Sequence, residues 1–144
     1  MQKTFTIKGK DIQRDWYIVD ASGQPLGRLA SKVAQVLRGK AKPSYSPFLD
    51  GGDFVVVVNA SDVYLSGRKP EMKTYWRYTG YPGGLRITKY KDALAKRPEF
   101  VIEHAVKGML PKSRLGKKIA GNLKVYAGAE HPHQAQMPEV LTVE

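Results

Sequence analysis

Leu26-Gly27-Arg28-Leu29-Ala30-Ser31-Lys32-Val33-Ala34-Gln35-Val36-Leu37-Arg38-Gly39 decides the fold of this chain of 144 residues. Leu26, Leu29, Ala30, Val33, Ala34 and Leu37 recur at the i, i+3, i+4, i+7 spacing of an amphipathic helix. Gly39 stands where a glycine caps a helix C-terminus. Upstream, Trp16-Tyr17-Ile18-Val19 is a short β-prone run closed by the turn chemistry of Asp20-Ala21-Ser22-Gly23. Downstream, Phe54-Val55-Val56-Val57-Val58 is a continuous run dominated by β-branched residues. Such a run suits a central strand covered on both faces, as in a parallel sheet. Strand, helix, strand is therefore the frame onto which the rest is fitted.

Working outward, Val63-Tyr64-Leu65 reads as another short strand before Gly67. Thr88 is placed to N-cap a short helix carrying Tyr90, Ala93 and Leu94. Pro98 suits the first position of the next helix, which would bury Val101, Ile102, Ala105, Val106 and Met109, with Gly108 near its end. Ser113 would cap a third helix in which Leu115, Ile119 and Leu123 recur at i, i+4, i+8. Lys124-Val125-Tyr126-Ala127 reads as a last strand. This order predicts one α/β domain over 1–144 with a small, mostly parallel sheet. Residues 1–15 form an N-terminal segment, and 128–144 a C-terminal extension packed on the domain or on a neighbour.

The absence of cysteine excludes a disulfide framework, a cysteine nucleophile and a thiolate metal site. No apolar run approaches ~18 residues, the length of a membrane span, and Met1-Gln2-Lys3-Thr4-Phe5 lacks the apolar stretch of a secretory signal. A cytosolic, reducing compartment fits these features.

Charge narrows the function. Lys plus Arg is 24 against 13 for Asp plus Glu, giving a formal net charge of +11 and a pI of about 9.8. That excess repels itself, and a polyanionic partner is the usual reason to carry it. Val125 to Glu144 holds no Lys or Arg, so the cations crowd into the preceding chain. Nucleic acid, an anionic membrane and an acidic protein are all compatible with the balance. A membrane surface ranks last, because no helix pairs a bulky apolar face with a long basic one.

Four features bear on the choice. Arg28 and Lys32 lie one turn apart, Arg38, Lys40 and Lys42 follow, and Arg114, Lys117 and Lys118 share a helix face opposite Leu115 and Ile119. Cations so spaced can meet successive phosphates, although a solvated helix face reads the same way. Arg68 to Arg86 alternates cations with rings: Arg68, Lys69, Lys73, Tyr75, Trp76, Arg77, Tyr78 and Tyr81, then Gly83-Gly84 and Arg86. Rings stack on unpaired bases while cations meet phosphate. Strand alternation allows only one of the sets Tyr75/Arg77 and Trp76/Tyr78 to face inward. In Lys107-Gly108-Met109-Leu110-Pro111-Lys112-Ser113-Arg114 one helix stops and another begins, and the new N-terminus favours an anion; a plain helical corner with solvent-facing cations is the alternative.

The fourth feature is enzyme-like. His131-Pro132-His133 and His104 lack the carboxylates that would complete a metal site, and packing or capping is the simpler reading. Asp50, Asp53 and Asp62 read as turn or cap residues. The strand–loop–helix holds Gly23 and Gly27 but no G-x-G-x-x-G or G-x-x-x-x-G-K-[ST] loop. A nucleotide- or metal-dependent enzyme is therefore the competing class.

The stretches Trp16 to Ala21 with Leu26-Gly27-Arg28-Leu29-Ala30, Gly52 to Ala60, Thr79-Gly80-Tyr81-Pro82-Gly83-Gly84, Val106-Lys107-Gly108-Met109-Leu110-Pro111 followed by Gly116, and Leu123 to Gly128 occur in an order that resembles large-subunit ribosomal protein thirteen, of bacterial or organellar type. The resemblance spans nearly the whole chain. It implies a three-layer α/β/α fold and binding to the large, 23S-type rRNA in the ribosome. It also implies an early role in subunit assembly, neighbouring ribosomal proteins as partners, and no enzymatic activity, cofactor, metal or small-molecule substrate. Some relatives bind a messenger RNA and restrain their own expression. Many relatives carry His within the stretch matching Tyr75 to Tyr78; Trp76 and Tyr78 here favour stacking instead.

Overall fold

The computed structural model describes residues 7–143. Residues 1–6, which include the Met1–Phe5 stretch and the start of the N-terminal segment, and Glu144 lie outside the described residues. Among the described residues, six strands and five α-helices form: β1 (Trp16–Asp20), α1 (Leu26–Arg38), β2 (Phe54–Val58), α2 (Lys69–Met72), β3 (Thr74–Tyr78), β4 (Leu85–Lys89), α3 (Tyr90–Lys96), α4 (Pro98–Met109), α5 (Arg114–Ala120), β5 (Leu123–Val125) and β6 (Glu139–Val140). The class is α/β. One sheet, in the order β5-β2-β1-β6, is parallel throughout, and β3-β4 is a separate antiparallel hairpin.

The periodicity of α1 is realised residue for residue: Leu26, Leu29, Ala30, Val33, Ala34 and Leu37 are its buried residues. Each fully buried Leu or Val contributes roughly 1.5–3 kcal/mol. Gly39 closes the helix at φ 73°, its N–H bonding back to the last turn, a conformation in which a Cβ is strained. Val55, Val56 and Val57 are fully buried. Two-sided cover explains why this strand shows no polar alternation. Val19, Val55, Val57 and Leu123 join α1 and α4 in one core.

Four local expectations change. Val63–Leu65 forms only a single parallel bridge, Pro25 to Tyr64, because no neighbouring strand extends it. Thr88 does not cap α3; it lies in β4 opposite Tyr75, and Lys89 is the N-cap without a side-chain bond. Met109 is exposed rather than buried. Leu123 is a strand residue, since α5 ends at Ala120.

The Lys124–Ala127 strand is also not the last. β6 comes from the charge-poor extension and pairs with β1 through Tyr17–Glu139 and Ile18–Val140. The same extension places His133 against Trp16, ring centroids 5.1 Å apart, with its Nε2 2.8 Å from the Tyr126 hydroxyl. The His133 backbone N–H donates to His131 Nδ1. The histidines thus serve packing and internal hydrogen bonds, and among the described residues no three ligand-type side chains gather as a metal site would need.

Burial, then the charges of His131 and Lys124, holds the His133 imidazole below its ordinary value of 6.5. A depressed histidine pKa means that the unfolded chain takes up the proton first. Stability is then level above about pH 6.5 and declines as the pH falls toward the folded-state pKa. In a Trp76→Phe protein, Trp16 emission should report looser packing of this segment between pH 7 and 5. A Trp16 signal flat over that window would show that His133 does not hold the segment.

Candidate nucleic-acid interface

Two carboxylates are buried, and one of them engages a cation of the expected set. Asp50 accepts from Arg14 Nη2 at 3.0 Å and from Asn122 Nδ2 at 3.3 Å. Asp53 accepts from the Asp15 backbone N–H at 2.9 Å and pairs with Lys42. Lys42 also donates to the Gln13 carbonyl. Asp50 and Asp53 therefore anchor the N-terminal segment and the loop behind α1 rather than merely turning the chain. Lys42, expected among the RNA-contacting cations, is partly buried and held by these internal partners.

The hairpin settles which rings face inward. Tyr75 is buried, its ring edge-on to Phe100 (5.3 Å) and His104 (5.1 Å), with Lys73 Nζ 5.3 Å from its centroid. Tyr75 is thus a core ring and not the open stacking platform expected of it. Among the described residues its hydroxyl has no hydrogen-bond partner, and burial, with Tyr90 nearby, pushes its pKa up to about 12. Trp76, Tyr78 and Tyr81 are exposed, Trp76 to 74%.

Five of the other expected cations, Arg77, Arg86, Lys107, Lys112 and Lys117, lie on three adjoining grooves. Tyr75, Trp76, Arg77 and Arg86 line a cleft of about 480 Å³ together with Lys96, Arg97, Phe100 and His104. Phe100 and His104 continue into a second groove that holds Lys107 and Lys112. Lys107 and Lys112 in turn border a third, which reaches Gly116 and Lys117 on α5. A basic path therefore runs from the hairpin along α4 to α5. Lys107 pairs with Glu103 at 2.9 Å on the surface of α4, a contact worth only a few tenths of a kcal/mol. Gly116 is buried against the backbone of Pro111, and the Ser113 hydroxyl accepts from the Gly116 N–H. The cap thus satisfies one of the N–H groups at the helix start, the Gly116 N–H.

Other expected residues stand apart from this path. Arg28 and Lys32 are on α1, Arg38 lies over the Tyr45 ring at 5.8 Å, and Lys40 follows in the loop. Arg68 and Lys69 are exposed at the start of α2. Arg114 and Lys118, by contrast, adjoin the path: both are exposed on α5 beside Lys117, within reach of the same strand of phosphates. Sequence reading missed Lys96 and Arg97, which sit about twenty residues after Arg77 and reach the cleft only because α3 packs on α4. The one available signal was the density of cations in Lys89-Tyr90-Lys91 and Lys96-Arg97.

Together these features define a class: an α/β scaffold displaying cations along adjoining grooves that share lining residues. Comparison with known proteins gives the family. The model described as ribosomal protein L13 matches residues 14–132. The chain is 57% identical to large ribosomal subunit protein uL13 of Caldanaerobacter subterraneus over 99% of both chains. It is 58% identical to that of Dictyoglomus thermophilum, covering 98% of this chain and 99% of the relative. Against that of Roseiflexus castenholzii the identity is 55%, over 96% and 94%. The chain belongs to the ribosomal protein L13 family. Membership makes it a structural constituent of the large ribosomal subunit, working in translation in the cytoplasm, and not an enzyme.

Proposed function

We propose that this constituent binds large-subunit rRNA through the groove along α4 and supports early subunit assembly by neutralising phosphates that would otherwise repel one another as distant RNA segments pack. The observation that carries the reading is the run of three adjoining grooves that share Phe100 and His104, then Lys107 and Lys112. Arg77, Arg86, Lys96, Arg97, Lys107, Lys112 and Lys117 line its three parts. Because the fold fixes where these cations point, recognition follows the shape and backbone of the RNA more than its bases. Neighbouring ribosomal proteins meet the surfaces outside the groove. A messenger RNA folded to the same shape would occupy the same groove and compete with the rRNA.

The test is the salt dependence of binding to a large-subunit rRNA fragment. Seven phosphate contacts at ~0.7–0.9 each give a log–log slope of about −5 or steeper. Absence of binding at low salt, or a slope shallower than about −2, would overturn the reading. Crosslinking in lysate adds an independent check, with the RNA-linked residues expected on β3, β4, α4 and α5.

A further inference from the structure

Arg77 and Arg86 are directly opposite each other in the β3-β4 hairpin. Residues so placed share a face with their Cβ atoms about 4.5–5.5 Å apart, where like charges destabilise the pair. Neither forms an ion pair among the described residues. The same face carries Tyr75 and Thr88, two residues along each strand, and all four line the cleft of about 480 Å³. Lys96 and Arg97 close the far side, so four cations face the single carboxylate of the lining, Asp92. A bound anion converts the opposed arginines from a repulsive pair into a fork, and guanidinium planes fit phosphate oxygens two at a time.

The cleft is more than an anion site. Phe100 and His104 form an aromatic wall beside the arginines, with centroids 5.5 Å apart, and Trp76 stands at the rim. The volume lies within the roughly 300–1,000 Å³ of small-ligand sites. Aromatic rings beside arginine are the chemistry that receives an unstacked base together with its phosphate.

We infer that this cleft receives one unpaired nucleotide of the bound RNA, its base against the Phe100–His104 wall and its phosphate between Arg77 and Arg86. The inference rests on the proposed RNA-binding role. It assigns the cleft to a single extruded nucleotide, while the rest of the groove follows the backbone of the strand.

Trp76 supplies the probe. The chain has two tryptophans, so the full-length Trp16→Phe protein reports from the cleft rim alone. It is titrated at low ionic strength with adenosine monophosphate, ribose 5-phosphate, inorganic phosphate and a hexaglutamate peptide. The nucleotide should change Trp76 emission saturably, with a midpoint at least tenfold below the other three. The Arg77→Ala/Arg86→Ala double variant should raise that midpoint at least tenfold. Arg77→Lys/Arg86→Lys, which keeps charge but loses the fork, should fall between. Both arginines are exposed, and circular dichroism confirms that the variants fold. Equal midpoints for nucleotide and phosphate, equal competition by hexaglutamate, no saturable response, or indifference to the double alanine change would each overturn the inference. The rRNA fragment is titrated in the same buffer. Fragment binding without a nucleotide response sinks the cleft assignment alone, whereas loss of fragment binding sinks the RNA-binding role itself.

Discussion

A Gly52→Ala protein is expected to melt about 10 °C below the parent chain or to fail to fold. A Cβ on Gly52 would lie 1.7 Å from the Leu37 carbonyl oxygen and 2.4 Å from its carbon. Both are backbone atoms of the last turn of α1, so no side-chain rotation relieves the clash. Overpacking commonly costs about 1–3 kcal/mol, and a backbone collision belongs at or above the top of that range. For a domain of this size, about 3 kcal/mol corresponds to roughly 10 °C. The reason lies in the packing: the loop before β2 runs backbone to backbone against the end of α1, and only glycine permits that approach. Gly27→Ala is the matched control. It lies in α1 with open space around its Cβ position, and alanine there should leave the melting temperature level or raise it slightly. If the two variants melt together, the close approach is not what holds α1 to the sheet.

The second large effect is on RNA. Replacing Arg114, Lys117 and Lys118 together with alanine should reduce the log–log salt slope for the rRNA fragment by roughly two to three units, at ~0.7–0.9 per lost phosphate contact. At 0.1 M salt the same arithmetic predicts a loss of affinity of roughly 100- to 500-fold. The three cations are exposed on one face of α5, while Ser113 caps the helix and Ile119 anchors it. The variant should therefore keep the parent's melting temperature. An unchanged slope would take α5 out of the interface and leave the hairpin and α4 as the binding surface.

Local features of the sequence were informative wherever a short stretch carries its own physics. The spacing of Leu26 to Leu37 named every buried residue of α1, the Phe54–Val58 run named a central strand, and Ser113 named a cap. Each depends on neighbours within a few positions. What stayed hidden depends on partners far along the chain. Lys42 looked free because Asp53, its partner, read as a turn residue. Alternation showed that either Tyr75 or Trp76 must turn inward, but Phe100 and His104, which choose Tyr75, lie on α4. The cleft is illegible for the same reason: Arg77 and Arg86 meet across a hairpin, and Lys96 and Arg97 arrive from a different helix. Glu139-Val140 shows no strand pattern at all; the free backbone groups of β1 make it one.

That two-residue strand has a bearing on biosynthesis. It follows every other described element in chain order, yet it pairs with the outer edge of β1, the first strand of the chain, at Tyr17 and Ile18. Until residue 140 has been added, a growing chain carries an uncovered row of amide and carbonyl groups along β1. Such an edge is a template for unwanted pairing with other chains. Products of premature termination would keep that exposure permanently, which makes them candidates for aggregation and clearance rather than for incorporation.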